Sequence, residues 1–299
     1  MVNEEALRYY REAGSIASKV RSMVASIVKE GVKVLDVCEE IEGLIFKMGG
    51  RPAFPCNIGI NEVAAHYTSP PGDKSLIPRG SIVKVDFGVE LSGYIADTAT
   101  TITFDPEFSP MLKAAEDSLA AAIAFIREGV EAKDVGKVIE ERIKRYGYKP
   151  IKNLTGHKME RYILHTGKVI PNFPGIDGSK LREGEVYAVE PFVTTADGAG
   201  IVVERPDSHI FRLQKGKTKD KKAGAMVELI KENYRTLPFA LRWLKKIYVN
   251  EHWERAFKAA LSQKCLSPYP VLVEARGEPV AQVEHTIIVK EDGCEVLTL

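Results

Sequence analysis

Cysteine is scarce and scattered. Cys38, Cys56, Cys265 and Cys294 lie far apart and none belongs to a C-x-x-C pair. That spacing argues against both a zinc knuckle and a disulfide framework, and makes the reducing cytoplasm the expected compartment. No apolar run approaches the length of a membrane span. The start, Met1-Val2-Asn3-Glu4-Glu5, does not read as a signal peptide. Excess charge is also missing: 42 Lys+Arg stand against 41 Asp+Glu, a net +1. Neither DNA nor an anionic membrane is therefore expected as the main partner. Glutamine occurs only at Gln214, Gln263 and Gln282 while Lys, Arg and Glu abound, which leans towards a heat-adapted source.

What is present is enough chain, 299 residues, for one large domain or two ordinary ones with a sizeable core. The most informative stretch runs from Ser81 to Thr98. Val83, Val85, Phe87 and Val89 alternate with Lys84, Asp86 and Gly88, a strand with one apolar face. Glu90-Leu91-Ser92-Gly93 supply a turn. A hairpin centred between Leu91 and Ser92 pairs Val89 with Tyr94 and Asp86 directly with Asp97. Carboxylates at that separation repel by about 1 kcal/mol in water and several in a partly buried site. A divalent cation between them is the simplest remedy. Two solvated acids are the commoner fate of such a pair, so its company must decide.

Helices are expected over about 3–29, with Leu7, Tyr10, Ala13, Ala17, Val20, Val24 and Ile27 recurring at threes and fours, and again from Asp36 to Gly49-Gly50. After the hairpin, Ser109-Pro110 looks like a cap and first turn, and Asp134 opens another helix ending at Gly147. Shifted by 98 residues, Glu30-Gly31-Val32 falls on Glu128-Gly129-Val130, Asp36-Val37 on Asp134-Val135, Ile41-Glu42 on Ile139-Glu140, Ile45 on Ile143, Gly49 on Gly147 and Pro52 on Pro150. Ten identities in 23 positions, where chance gives about one or two, point to two related halves with a cleft at their seam.

The second half places polar residues at strand ends: His157 after Gly156, His165 after Leu164, Glu190 after Val186–Val189, and Glu284 within Val283–Val289. An acid flanked by Val and Ile is half-buried and needs a partner. Between the last two strands, residues 215–267 turn basic and helix-like, with apolar sets at Ala225–Ile230, Phe239–Ile247 and Trp253–Leu261. This reads as a helical insertion subdomain, leaving 1–214 and 268–299 as the main domain.

Asp86, Asp97, His157, Glu190 and Glu284 in β-rich contexts form the pattern of a di-metal peptidase. The chain resembles the methionine aminopeptidases over nearly its whole length, and their type 2 branch in particular. The motifs are Asn61-Glu62-Val63-Ala64-Ala65-His66-Tyr67, Val85-Asp86-Phe87-Gly88, Ile95-Ala96-Asp97-Thr98-Ala99, Asn153-Leu154-Thr155-Gly156-His157, Leu164-His165-Thr166-Gly167-Lys168, Val189-Glu190-Pro191-Phe192 and Gln282-Val283-Glu284-His285-Thr286. The insertion marks type 2, and the absence of a long charged N-terminal extension makes the chain look archaeal.

The resemblance implies an α+β pita-bread (creatinase/aminopeptidase) fold with internal pseudo-twofold symmetry. It implies two divalent ions (Co, Mn, Fe or Zn), with Asp97 and Glu284 bridging, His157 and Glu190 completing one site and Asp86 the other. Glu190 would be the general base, His165 would stabilise the oxyanion, and His66 would contact the substrate amide. Phe54, Leu164 and His209 would line the methionine pocket. The substrate would be the N-terminal Met of nascent polypeptides with a small second residue. His285 points to the face opposite Glu284, His252 looks like surface, and the Lys215–Lys222 run is solvated, with a charge that also suits ribosomal RNA. An X-Pro peptidase of the same fold is the runner-up; that family places Arg and Asp where Gln282 and His285 stand. A pita-bread binding protein without catalysis is the third reading, and such relatives lack several ligands present here.

Overall fold

The computed structural model describes residues 3–175, 178–249 and 253–299; Met1, Val2 and His252 lie outside the described residues. The first half is α1 (Glu4–Ile27), α2 (Val34–Lys47), β1 (Arg51–Ile60), β2 (Val63–Ala65), β3 (Ile82–Leu91) and β4 (Tyr94–Thr103). Asn3 caps α1, its side-chain oxygen accepting from the Ala6 N–H at 2.8 Å, with Glu4 and Glu5 in the positively poised first turn. The second half is α3 (Ser109–Phe125), α4 (Ala132–Arg145), β5 (Lys149–Pro150), β6 (Thr155–Met159), β7 (Val169–Pro171), β8 (Val186–Val189) and β9 (Phe192–Thr194), then β10 (Val202–Leu213). A helical stretch follows: α5 (Lys221–Tyr234), β11 (Phe239–Ala240), α6 (Leu241–Ile247) and α7 (Trp253–Ser262). The chain closes with β12 (Leu266–Glu274), β13 (Val280–Gln282), β14 (His285–Lys290) and β15 (Gly293–Val296). Among the described residues no helix is long and apolar enough to cross a membrane.

Two antiparallel sheets carry the halves, ordered β1-β3-β4 and β15-β14-β8-β6-β7. Val83, Val85, Phe87 and Val89 pack under α1 and α2, while Tyr187, Val189, Ile287 and Val289 pack under α3 and α4. The helices cover the outer faces, so the faces carrying Asp86 and Glu284 meet inside. The 98-residue repeat is exact in the helices: α2 and α4 begin at Val34 and Ala132, and Gly31 and Gly129 share φ of 78° and 79°. The Gly31 N–H bonds Ile77 O and the Gly129 N–H bonds Leu181 O, so by Ile77 and Leu181 the offset has widened from 98 to 104. Gly59 opposite Lys84 corresponds to His157 opposite Ala188, and Val85 opposite Thr100 corresponds to Val189 opposite His285. This symmetry carries Asp86 onto Glu190, Asp97 onto Gln282, Thr101 onto Thr286, and Ala99 onto Glu284. Ala99 and Glu284 themselves form the bridge between the two sheets, so the pseudo-twofold axis runs through the seam.

The hairpin is present with a different register from the expected one. Its turn is Ser92-Gly93, with φ of 52° and 89°, the two-residue form that matches strand twist. Leu91 stays in the strand opposite Tyr94, Asp97 faces Gly88, and Asp86 faces Ala99. A slip of two residues keeps every side chain on its face, so the two aspartates remain neighbours on the inner face, diagonal rather than opposed. Three smaller differences concern starts. Ser109 follows a 3-10 turn, Pro106–Phe108, capped by Asp105; α2 and α4 begin two residues before Asp36 and Asp134; and Phe239 is in β11, not in a helix.

Leu213 pairs with Leu266 as β10 and β12 run side by side. The intervening helices close over those ends with a core of their own, including Met226, Ile230, Phe239, Leu244 and Phe257.

Candidate metal centre

Strands of both sheets deliver five donor side chains to one cavity of about 300 Å³, Asp86, Asp97 and His157 from strand interiors and Glu190 and Glu284 from strand ends. Asp86 comes from β3, Asp97 from β4, His157 from β6, Glu190 from the residue after β8, and Glu284 from the residue before β14. Donor atoms of Asp97, His157 and Glu284 all lie within 4.8 Å of one another. His157 Nε2 is 3.4 Å from Glu190 Oε1 and 3.6 Å from Asp97 Oδ2. Gln282 aims its amide between two of the acids, with Nε2 3.5 Å from both Glu190 Oε2 and Glu284 Oε2.

The electrostatics of this cluster call for positive charge. Burial, and then mutual repulsion, push Asp97, Glu190 and Glu284 well above the usual carboxylate range. Burial lifts Asp86 to about 7 against donation from Gln282 and Asn57. Burial drives His157 well below the ordinary imidazole value. Among the described residues, Asp86 Oδ1, Asp97 Oδ1 and Glu284 Oε1 are buried with no hydrogen-bond partner. Buried carboxylate oxygens without partners are costly unless a cation takes them. Four carboxylates and an imidazole form a donor set suited to a divalent first-row metal; the residues present fit the group.

The outer residues flank this cluster. His66 has φ 64°, a left-handed backbone that turns its ring into the cavity. Its Nδ1 lies 3.2 Å from Pro270 O, which leaves Nε2 as the nitrogen for a ligand. The His165 ring centroid is 4.2 Å from that of His157. Burial brings both His66 and His165 down to about 4, so both rings are neutral at neutral pH. Phe54 and Leu164 line the same cavity.

His209 does not line it. β10 bulges between Ser208 and Ile210, whose partners on β12 are Pro270 and Tyr269. His209 is the extra residue; Ile210 faces the cavity instead, and the His209 ring sits edge-on to Tyr67 beside Asp207. His285 behaves as expected: it is buried on the far side, Nδ1 2.8 Å from Thr298 Oγ1. Sequence reasoning missed Asn57, Phe192, Pro238 and Tyr269, all on the cavity wall. Asn57 sits opposite Asp86 on β1, a pairing readable only once the β1–β3 register is known. Pro238 comes from the insertion and carries no signal in its own neighbourhood.

The profile of Metallopeptidase family M24 matches residues 8–291. Methionine aminopeptidase of Methanothermobacter thermautotrophicus is 45% identical over 293 residues, 97% of each chain. That of Saccharolobus solfataricus is 40% identical over 300 residues, 99% of each chain. Among solved structures, a methionine aminopeptidase from Thermotoga maritima superposes with TM-score 0.71 at 22% identity, covering 99% of this chain and 97% of that one. A thermophilic Arx1 superposes with TM-score 0.84 at 18% identity, covering 99% and 91%; likenesses this remote speak for the pita-bread fold alone. With the near full-length relatives and the family profile in agreement, the chain belongs to the M24 metallopeptidases, among the methionine aminopeptidases.

Proposed function

We propose that this metalloaminopeptidase, which removes N-terminal methionine, works with two divalent cations and acts on chains whose second residue is small. Asp97 and Glu284 would be the ligands common to both ions, with His157 and Glu190 holding one and Asp86 the other. The observation that carries this reading is the set of buried, unpartnered oxygens on Asp86, Asp97 and Glu284, residues that all line one cavity. The ions supply positive charge that acidifies a water and polarises the scissile carbonyl.

The rest is done by side chains. Glu190 takes the proton of the attacking water and passes it to the leaving amine. His165, neutral, donates to the developing oxyanion. His66 Nε2 contacts the scissile amide, its ring held by Pro270 O. Phe54 and Leu164 pack on the methionine side chain, and Pro238 of the insertion closes the wall beside them. Residues 215–267 form an insertion subdomain, a reading supported by their separate core. Gln282, where X-Pro peptidases place an arginine, favours methionine over proline substrates.

The cytoplasm is the compartment that fits a nascent-chain substrate, and exposed Lys215, Lys217, Lys219 and Lys221 are the place for a contact with ribosomal RNA. Chelation followed by refilling with each metal, then cleavage of Met-Ala, Met-Gly, Met-Lys and Ala-Pro peptides, tests the reading. Metal-dependent release of Met from the first two alone is the expected result. Ready cleavage of Met-Lys or Ala-Pro contradicts it.

A further inference from the structure

The two sheets do not meet through an ordinary ladder. Asp97, Ala99 and Thr101 on β4 run antiparallel to Thr286, Glu284 and Gln282. Only the central pair makes a direct backbone bond, Glu284 N–H to Ala99 O at 3.0 Å. On one side of it the Thr286 hydroxyl stands where a backbone partner belongs. It accepts from the Asp97 N–H at 2.7 Å and donates to the Asp97 carbonyl at 2.8 Å. On the other side the Thr101 hydroxyl does the same for Gln282, accepting from its N–H at 3.1 Å and donating to its carbonyl at 2.6 Å. Thr98 adds a third hydroxyl, donating to Glu284 O at 2.9 Å. Thr98, Thr101 and Thr286 are all buried.

Strands joined by a direct ladder lie about 4.7–4.9 Å apart. A hydroxyl inserted into the pair holds the backbones wider while still satisfying the N–H and carbonyl it faces. Asp97 and Glu284 hang from the two sides of this gap. Thr101 and Thr286 are symmetry mates, as are Asp97 and Gln282, so the same device occurs twice about one axis. Two clasps with the same bonding pattern, flanking the bridge that carries a candidate ligand, are hard to read as incidental packing.

We propose that the Thr101 and Thr286 hydroxyls are spacers that set the separation of Asp97 and Glu284, and through it the affinity for the second of two divalent ions. They are positioning residues: neither touches substrate. The inference rests on the reading of Asp97 and Glu284 as shared ligands. Valine has the shape of threonine without its hydroxyl, so Thr286→Val leaves the Asp97 N–H and carbonyl buried without partners. The backbones must then close up or twist to recover a bond, and the carboxylates move with them.

The test is manganese titration of the full chain by calorimetry, paired with melting temperature, for Thr286→Val, Thr101→Val, Thr286→Ser, Asp97→Ala and Thr194→Val. Thr194 is a control: its buried hydroxyl donates to Pro279 O at 2.9 Å, off the seam. Affinity for the second manganese is expected to fall roughly 10–100-fold in both seam valines. Thr286→Ser should recover most of it, and Thr194→Val should melt earlier yet bind like the parent. Seam valines that melt earlier but bind both ions like the parent overturn the proposal. If Thr286→Val does not fold, Thr101→Val and Thr286→Ser decide the matter alone. Asp97→Ala separates the two levels: unchanged manganese binding in that variant refutes the ligand reading itself, whatever the threonines do.

Discussion

The guanidinium of Arg242, at the start of α6 in the insertion, closes on the carboxylate of Glu42 in α2, with both side chains nearly out of solvent. Arg242 also donates to Thr68 Oγ1 at 2.6 Å and Ser69 O at 3.1 Å. Glu42 takes further donors from Cys56 N–H at 3.0 Å and Trp243 Nε1–H at 2.8 Å. Burial pushes the Glu42 carboxyl up, and Arg242 pulls it back. The insertion is thus bolted to the first half by a buried ion pair, in which Arg242 uses both terminal nitrogens while its Nε is left without a partner among the described residues. Arg242→Met should cost about 3–5 kcal/mol of stability, because it strands a buried charge. Adding Glu42→Met should recover much of that loss. Denaturant titrations of the single and double variants check this; a double variant no more stable than the single one contradicts it.

Excision of 215–267 follows from the same pair. None of the five candidate ligands lies there, so metal binding should survive. The cut must be accompanied by Glu42→Met to spare the core, and the loss of Pro238 from the cavity wall should raise KM for Met-Ala more than it lowers kcat. Loss of metal from a folded, excised chain would show that the insertion helps to build the centre.

Ligands and outer histidines should fail differently. Glu284→Ala removes a shared ligand, so elemental analysis should find metal lost and kinetics should find almost no activity. His165→Ala should keep its metal and bind substrate nearly as before, while kcat falls about 10²–10³, the usual loss for one oxyanion donor. Metal loss in His165→Ala, or full occupancy and activity in Glu284→Ala, exchanges or removes these roles.

His66 carries a pH signature. Burial holds its folded value at about 4, against about 6.5 in an unfolded chain. Above about 6.5 the ring is neutral in both states and contributes nothing. As pH falls from there to about 4, the unfolded chain takes a proton that the folded one refuses, and stability drains away. His66→Asn suits the left-handed backbone and should flatten this part of the stability curve. Urea midpoints at pH 7.5 and 4.5, parent against variant, give the answer; an equal drop in both contradicts the assignment.

Gly88 faces Asp97 across the hairpin and Phe54 across β1. A Cβ there would sit 2.4 Å from Phe54 Cε1 and 2.9 Å from Ala53 Cβ. Gly88→Ala must displace the Phe54 ring into the pocket, at about 1–3 kcal/mol. Its KM for methionyl peptides should rise with a smaller change in kcat. Unchanged KM would remove Phe54 from the methionine pocket.

How much could be read beforehand depended on which signals are local. The repeat was readable because helix positions such as Ile41 and Ile139 are fixed by local periodicity. The inner face of Asp86 and Asp97 was readable because strand alternation survives a slip of two; their register was not, since turns at Leu91-Ser92 and Ser92-Gly93 satisfy the same alternation. The bulge that turns His209 away is one extra residue in β10 with no local mark. Thr101, Thr286 and Pro238 look ordinary along the chain; their roles appear only when the halves are brought together.

The most direct test of the central account is anomalous diffraction from crystals soaked in manganese. The account predicts two peaks in the seam cavity, both shared by Asp97 and Glu284, one beside His157 and Glu190 and the other beside Asp86. No peak between Asp97 and Glu284 in crystals of active, manganese-loaded enzyme contradicts it.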